Sequence, residues 1–353
     1  MRRSLVDREA VERLFLIAGA LRSGVIDALA ADDGLTAAQV AAAAGADVRA
    51  AVIVLEALAG EGLVEREGPV PEPPVPAEPV GEGLGGPTGN PTGAPAASRT
   101  GEPLYRLSAL GRDHLVGPGP DLERWQLLHQ ARKAWGWLEL PEIIQTGSAP
   151  PRDPASRDTR TMVSAMGERD PAIVEEIVNV CLTYAGAIET MIDVAGAVGH
   201  VARQFSRCGV RATLFDRPAV MPIAEEYLGE DAKDIAFVGG DLTEALPPGP
   251  FDLMYFGNVL HIYDPVTDAR VIREAYASLA PGGVIGIQNY LWGRSRRAAM
   301  FAVNMLQSVE NGGVWSEAMY RGWLSEAGFA KIETFDLETG ESQLILARRP
   351  AGE

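Results

Sequence analysis

Residues 188–200 read "IETMIDVAGAVGH", an apolar run closed by Asp193 and followed by a turn of small residues. An apolar run of this length bounded by a small-residue turn predicts a buried strand feeding a helix. Ala195, Gly196, Ala197 and Gly199 let the backbone approach a ligand, and the amides at the start of the next helix attract a carboxylate or phosphate. Ala195 and Ala197 stand where glycine is expected. A turn with ordinary negative φ accepts the extra methyl groups, and that is the expected geometry.

Downstream the chain alternates short apolar segments with helical ones, the pattern of a parallel sheet with crossover helices. "MIDVAGAVG", "RATLFDRP", "IAFVGGDL", "FDLMYFGNVL" and "VIGIQNYL" read as five strands. Helices "VARQFSRCG", "VMPIAEEYLG" and "DPVTDARVIREAYASLAPGG" separate them, the last ending at its glycines. Helices from Arg296 to about Glu310 and from Ser316 to Ala327, then strands "AKIETFDLE" and "SQLILARR", complete an α/β domain. Ligands of such sheets bind beyond the carboxyl ends of the strands. Asp193, Asp216 and Asp241 end three consecutive strands, and Asp216 follows Asp193 by 23 residues. A carboxylate at the second position accepts hydrogen bonds from ribose hydroxyls. The third would meet an adenine amino group; each acid alone reads as a helix cap or solvated turn, but the ordered set points to an adenosine-type ligand. The turn lacks the third-glycine spacing of a dinucleotide fingerprint and no GxxxxGK[ST] occurs, which argues against NAD and ATP.

Upstream, Leu14, Ile17, Ala18, Leu21, Val25, Ile26 and Leu29 recur at helical spacing, with a break near Gly24. Thr36 caps a short helix ended by Gly45, Asp47 caps a second, and "LVER" follows as a strand. Helix, turn, helix and strand is a winged-helix order, with the matching strand near Tyr105 to Leu110. Between the strands, Gly68 to Pro103 holds 10 Pro and 8 Gly in 36 residues, too few apolar groups to order a core. It reads as an insert at the wing tip, with a Pro-rich ligand for a partner domain as the alternative. The second helix offers only Arg49 as a base, where DNA contact calls for Lys, Arg, Asn or Gln. Trp125, Trp135 and Trp137 read as core or subunit interface, or as the roof of an aromatic pocket.

With 353 residues, 46% hydrophobic, and a net charge of −17, the chain reads as soluble, and its field repels nucleic acid and anionic membranes. Cys181 and Cys208 form no CxxC, so neither a disulfide framework nor a zinc cluster is indicated, and a reducing cytoplasm fits. Acidic residues interrupt any signal-peptide core at the N-terminus. His114, His129 and His200 do not cluster with acids at ligand spacing, so no metal is expected.

The segments "LYRLSALG", "DVAGAVG", "LFDRP", "GGDL", "NVLHIYDP", "ASLAPGG" and "EAMYRGWLSEAGF" appear in this order. In that order and spacing the chain resembles the class I S-adenosylmethionine-dependent O-methyltransferases of the plant caffeate and bacterial polyketide type. The resemblance covers nearly everything outside the Gly68 to Pro103 insert. It implies a winged-helix dimerisation domain (residues 1–118, insert 68–103), linking helices over the active site (119–190) and a Rossmann-like catalytic domain (191–353). It implies S-adenosyl-L-methionine as cofactor, a small-molecule acceptor and a homodimer through the N-terminal domain, with no nucleic acid or membrane partner. Asp193, Ala195, Gly196 and Gly199 would hold the methionine part, Asp216 the ribose, and Asp241 with Leu242 the adenine. Asn258 and Met166 would complete the cofactor site, the methionine near the sulfonium. His261 would be the general base, a role that suits a lone histidine at a strand end beside a cofactor crevice; a structural histidine is the alternative.

Three positions depart from the family pattern. Ile262 replaces an acid after the histidine, Asn289 (after Gln288) replaces a base-orienting Glu, and a further Glu is missing around Val314 and Trp315. Loss of one charged hydrogen bond is worth roughly 1.5–3 kcal/mol, about ten- to a hundredfold in rate. Either the acceptor is already acidic, or the scaffold serves a non-methylating reaction such as hydroxylation or pericyclic chemistry. A winged-helix regulator is the alternative from another class. Met300, Phe301, Asn304 and Met305, with Asn289 and Trp315, are candidates for the acceptor pocket, Met adapting to flat rings; ordinary packing is the competing reading.

Overall fold

A computed structural model describes residues 7–71, 102–117, 122–147, 149–150, 158–167, 170–338 and 342–352. The interior of the wing insert, residues 72–101, therefore lies outside the described residues, as do Glu168 and Arg169. The chain divides into two compact units, Met1–Arg132 and Lys133–Glu353.

In the first unit, α1 (Arg8–Arg22) and α2 (Val25–Ala31) are separated where Gly24 takes φ +81°. Strand β1 (Leu35–Thr36) precedes α3 (Ala37–Ala44), which Thr36 and Gln39 start with a reciprocal capping box and Gly45 ends in the left-handed region. Asp47 caps α4 (Val48–Gly60), whose chain leads into β2 (Val64–Glu67). Strand β3 (Leu104–Leu107) pairs antiparallel with β2, and Gly68 and Pro103 stand side by side where the insert leaves and returns. Ser108 ends this strand by capping α5 (Ala109–Leu115), so Leu110 is helical rather than the strand end expected. Two-residue β1, which the sequence reading missed, pairs with β3 to make three strands. Ile26, Leu29, Leu55, Leu58 and Tyr105 are fully buried in the core of this unit.

Helix α6 (Arg124–Leu138) crosses the division between units and carries the three tryptophans. None of them is buried, and Trp135 is 67% exposed, so the core reading of these residues does not hold. Helices α7 (Leu140–Thr146), α8 (Thr159–Gly167) and α9 (Pro171–Ala185) follow.

The second unit is built on a seven-stranded sheet. Its strands are β4 (Thr190–Val194), β5 (Arg211–Asp216), β6 (Ile235–Gly239), β7 (Phe251–Gly257), β8 (Leu279–Asn289), β9 (Ala330–Asp336) and β10 (Gln343–Arg348). Their order is β6-β5-β4-β7-β8-β10-β9, parallel through β8, with β10 antiparallel to both neighbours. Helices α10 (His200–Arg207), α11 (Met221–Leu228), α12 (Pro265–Ser278), α13 (Arg296–Ser308) and α14 (Glu317–Ala327) connect them. Helix α12 does not end at glycine: Leu279 is both its C-cap and the first residue of β8, which absorbs Gly282 and Gly283.

Period-two alternation divides the core between the two faces of the sheet. Met191, Leu214, Leu253 and Tyr255 pack with α9 and α10, whereas Ile192, Phe215, Met254 and Phe256 pack with α12 and α14. Covered on both faces, the central strands need unbroken apolar runs, which is why "TMIDV" and "FDLMYFG" lack a polar face. The chain leaves β4 toward β5 and β6, then returns to pair β7 on the other side of β4. That reversal opens a crevice at the carboxyl end of β4, where doubly wound sheets bind ligands. Among the described residues no single helix is long and apolar enough to cross a membrane.

Candidate functional site

The register brings five strand ends to one edge: Val194 lies between Phe215 and Phe256, Asp216 beside Gly239, and Gly257 beside Gln288. The turn from Ala195 to Gly199, Asp216, Asp241, Asn258 and Asn289 thus belong to one crevice.

The turn is built from the acid beneath it. Asp193 is 2% exposed, and the Ala202 N–H of α10 donates to its Oδ2 at 3.2 Å, serving a helix start whose cap, Gly199, has no side chain. Gly196 crosses directly over this carboxyl; a Cβ there would stand 2.5 Å from Asp193 Cγ and 2.6 Å from Leu214 Cδ1. Ala195 and Ala197 take φ +55° and +52°, so the expected negative φ is wrong at both. Their backbones are held from the neighbouring strand: Ala195 N–H donates to Phe215 O at 2.7 Å, and Ala197 N–H to Asp216 Oδ2 at 3.0 Å. These bonds hold two L-residues in a region that costs about 1–2 kcal/mol each.

Asp216 also accepts from Arg217 N–H through Oδ1 at 2.7 Å, and burial raises its pKa. Asp241 Oδ1 accepts from the hydroxyl and N–H of Thr243 at 2.6 and 2.7 Å, which lowers its pKa. Leu242 is buried against Phe215. Tyr263, missed in the sequence, shares this corner: burial pushes its phenol to about 12, and the charges of Asp241 and Asp216 add to the effect. Asn258, at φ +53°, donates its N–H to Gln288 O at 2.9 Å, yet its buried Oδ1 has no hydrogen-bond partner within the protein. A buried acceptor without a protein partner at a strand-end crevice is one that a bound ligand or an ordered water would satisfy.

Met166 is 38% exposed near the end of α8. The next residue is fastened to α10 and α11: His200 Nε2–H and the Tyr227 hydroxyl both donate to Gly167 O, at 2.8 and 2.7 Å. Arg203 donates to His200 Nδ1 at 3.1 Å, leaving Nε2 to donate to Gly167 O. His200 immediately follows the small-residue turn, the one sequence signal that could have marked it.

His261 lies in a short 3-10 turn, Leu260–Ile262, just after β7, and is 7% exposed. Its Nδ1 is 3.0 Å from Asn289 Oδ1. Tyr290 N–H donates to the same Asn289 atom at 3.1 Å, so that atom is the oxygen and His261 Nδ1 must carry the proton. Nε2 is left as the free acceptor. Asn289 Nδ2 in turn donates to the Tyr320 hydroxyl at 2.9 Å. Burial lowers the His261 pKa to about 4, against an upward pull from the Asn289 bond, so the ring is neutral at physiological pH.

Phe301 of α13 meets His261 edge to face at 4.8 Å and also touches Tyr290. Of the other pocket candidates, Met305 is buried and Met300 half exposed, whereas Asn304 Oδ1 is engaged by Gln307 Nε2 in its own helix. Trp315 is engaged by other residues: its ring packs against Trp323 and its Nε1–H donates to Asp268 at 2.8 Å. Asp268 is fully buried, its Oδ1 has no partner within the protein, and burial pushes its pKa to about 8. Among the described residues no group of His, Cys, Asp and Glu could hold a metal ion.

Residues 152–330, half of the chain, match the O-methyltransferase domain family. The tetracenomycin polyketide synthesis 8-O-methyl transferase TcmO of Streptomyces glaucescens is 27% identical over 71% of this chain and 78% of its own. The L-tyrosine C(3)-methyltransferase of Streptomyces lavendulae is 29% identical over 41% of this chain and 42% of its own. Two solved structures share the fold. PigF with SAH has a TM-score of 0.71 at 19% identity, covering 98% of this chain and 100% of that one. Human N-acetylserotonin methyltransferase with SAM has a TM-score of 0.69 at 20% identity, covering 99% and 100%. The glycine crossing over Asp193 and the orphaned Asn258 Oδ1 fit a close-packed ligand with donors to give, and by its matched sequence and fold the chain belongs to the O-methyltransferase family, as an S-adenosylmethionine-dependent methyltransferase.

Proposed function

We propose that the protein methylates a hydroxyl of a small aromatic or polyketide-like metabolite, with His261 as base. The observation that carries this reading is the fixed tautomer of His261: Asn289 and Tyr290 leave Nε2 unprotonated beside the cofactor crevice. The likeness to TcmO supports the acceptor class. When bound, the cofactor supplies an electrophilic methyl group on a sulfonium. The turn from Ala195 to Gly199 would receive its methionine end, with Met166 nearby; Asp216 would bind the ribose, Asp241 and Leu242 the adenine, and Asn258 Oδ1 a donor. His261 Nε2 accepts the hydroxyl proton as the oxygen attacks, while Phe301 holds the imidazole from one side. Holding oxygen and methyl in line supplies much of the rate.

The first unit would serve as the winged-helix dimerisation domain. An apolar groove of about 320 Å³ lined by Phe15, Leu16, Ala20, Val25, Ala50 and Val54, with Phe15 48% exposed, supports this role. Light scattering should give twice the chain mass, and a monomer at micromolar concentration refutes the dimer.

The catalytic reading is tested with methyl-labelled cofactor and a panel of phenols and enols. His261→Ala should leave cofactor affinity within about twofold and lower turnover at least about 100-fold; equal turnover removes the base assignment. Calorimetry showing no binding of S-adenosylmethionine or its demethylated product overturns the whole reading.

A further inference from the structure

The groups around the base limit which hydroxyl it can deprotonate. His261 is faced by an amide, Asn289, from β8 and by a hydrocarbon ring, Phe301, from α13. From the segment after α13, Gly313 N–H donates to His261 O at 3.0 Å. The residue after the histidine is Ile262, and the end of β7 offers the neutral Asn258. Among the described residues no charged side chain acts on the imidazole; burial and the Asn289 bond alone move it. Behind Asn289 stands the Tyr320 hydroxyl, and beyond it Asp268, which burial keeps largely protonated at neutral pH. An imidazolium formed here has no counter-charge, and a buried unpaired charge is costly.

Resting on the methyl-transfer reading above, we propose that Asn289 is a specificity-determining positioning residue that restricts the acceptor to acidic hydroxyls, namely enols of 1,3-dicarbonyls and phenols conjugated to an electron-withdrawing group. In the step, the O–H bond breaks with its proton passing to His261 Nε2 and its electron pair staying on oxygen. The oxygen forms a bond to the methyl carbon as the carbon–sulfur bond breaks, its pair remaining on sulfur. The proton then leaves the imidazolium for solvent. An acidic hydroxyl gives up its proton early enough for this weak base; an alkylphenol, with pKa about 10, does not.

The test compares 4-nitrophenol with 4-methylphenol at pH 6.0, where both hydroxyls are largely protonated, cofactor saturating, in the full-length enzyme and in Asn289→Asp. The wild type should show kcat/KM at least about 100-fold higher for 4-nitrophenol. In Asn289→Asp a carboxylate replaces the amide oxygen, and the gap should shrink to about tenfold or less, through faster 4-methylphenol methylation. Nitrogen-15 NMR of the imidazole, independent of turnover, should show the His261 pKa rising by about one unit or more in that variant. Wild-type rates for the two phenols within threefold overturn the proposal, as does transfer to neither phenol by protein that binds the cofactor. An unmoved His261 pKa in the folded variant overturns it as well. Failure to bind cofactor at all overturns the methyl-transfer reading instead.

Discussion

Replacing Ala195 and Ala197 with glycine should make the catalytic unit more stable. Both alanines have φ near +50°, held by the hydrogen bonds to Phe215 O and Asp216 Oδ2. An L-residue there is strained by about 1–2 kcal/mol, whereas glycine is free of that strain but loses up to about 1 kcal/mol more backbone entropy on folding. The net gain is about 0.5–1 kcal/mol per site, so the double variant should gain about 1–2 kcal/mol, less whatever coupling between the neighbouring sites removes. For a unit of this size that is a rise of about 2–8 °C in melting temperature. Scanning calorimetry on cofactor-free protein is the assay, because bound ligand would stabilise both forms by mass action. Ala197→Val is the opposing control, since a branched side chain in the left-handed region should destabilise by about 2 kcal/mol. If both glycine variants melt lower than the wild type and Ala197→Val is neutral, the loop does not hold the left-handed conformation and the strain argument fails.

Three further outcomes follow from the same geometry. Gly196→Ala places a methyl against Asp193 and Leu214; it should cost about 2–3 kcal/mol and abolish cofactor binding by calorimetry. Asp268 has a folded pKa of about 8, above its unfolded value, so the fold holds a proton that the unfolded chain gives up. Its favourable contribution is therefore complete below about pH 4 and lost as pH rises toward 8. Asp268→Asn keeps an oxygen for Trp315 Nε1–H, and urea midpoints should exceed wild type at pH 8 and converge toward pH 4; parallel curves refute the buried neutral acid. Tyr320→Phe strips the buried Asn289 Nδ2 of its acceptor and should destabilise by about 1–3 kcal/mol in urea melts.

Most of the architecture was legible because periodicity and caps agree. Thr36, Gly45, Asp47, Ser316 and Gly328 end or start helices where local chemistry requires. The unbroken apolar runs gave the parallel strands, and the acids at their ends gave the crevice. Local signals failed where long-range contacts decide. The alanines take positive φ because Phe215 and Asp216 pull their amides from a neighbouring strand, a pairing no window of sequence contains. The end of α12 was misplaced because β8 begins at once and carries the glycines into the sheet. His261 and Asn289 are 28 residues apart, and their hydrogen bond exists only because β7 and β8 are neighbours. Asn289 was read as a missing carboxylate; in place it fixes the tautomer of the ring, although it supplies no charge.

The segment after α13 is stitched to the turn that carries His261: Gly313 N–H donates to His261 O, and a Cβ at Gly312 would collide with the carbonyl oxygens of His261 and Ile262. The turn that carries the imidazole is thus anchored through main chain, which exchange of α13 side chains other than Phe301 leaves untouched. On the proposed function, Met300 and Met305 would be the side chains to exchange for a ring of another shape, with His261 left in place. On that reading the scaffold would pass from one metabolite to another by single substitutions, each intermediate retaining its base.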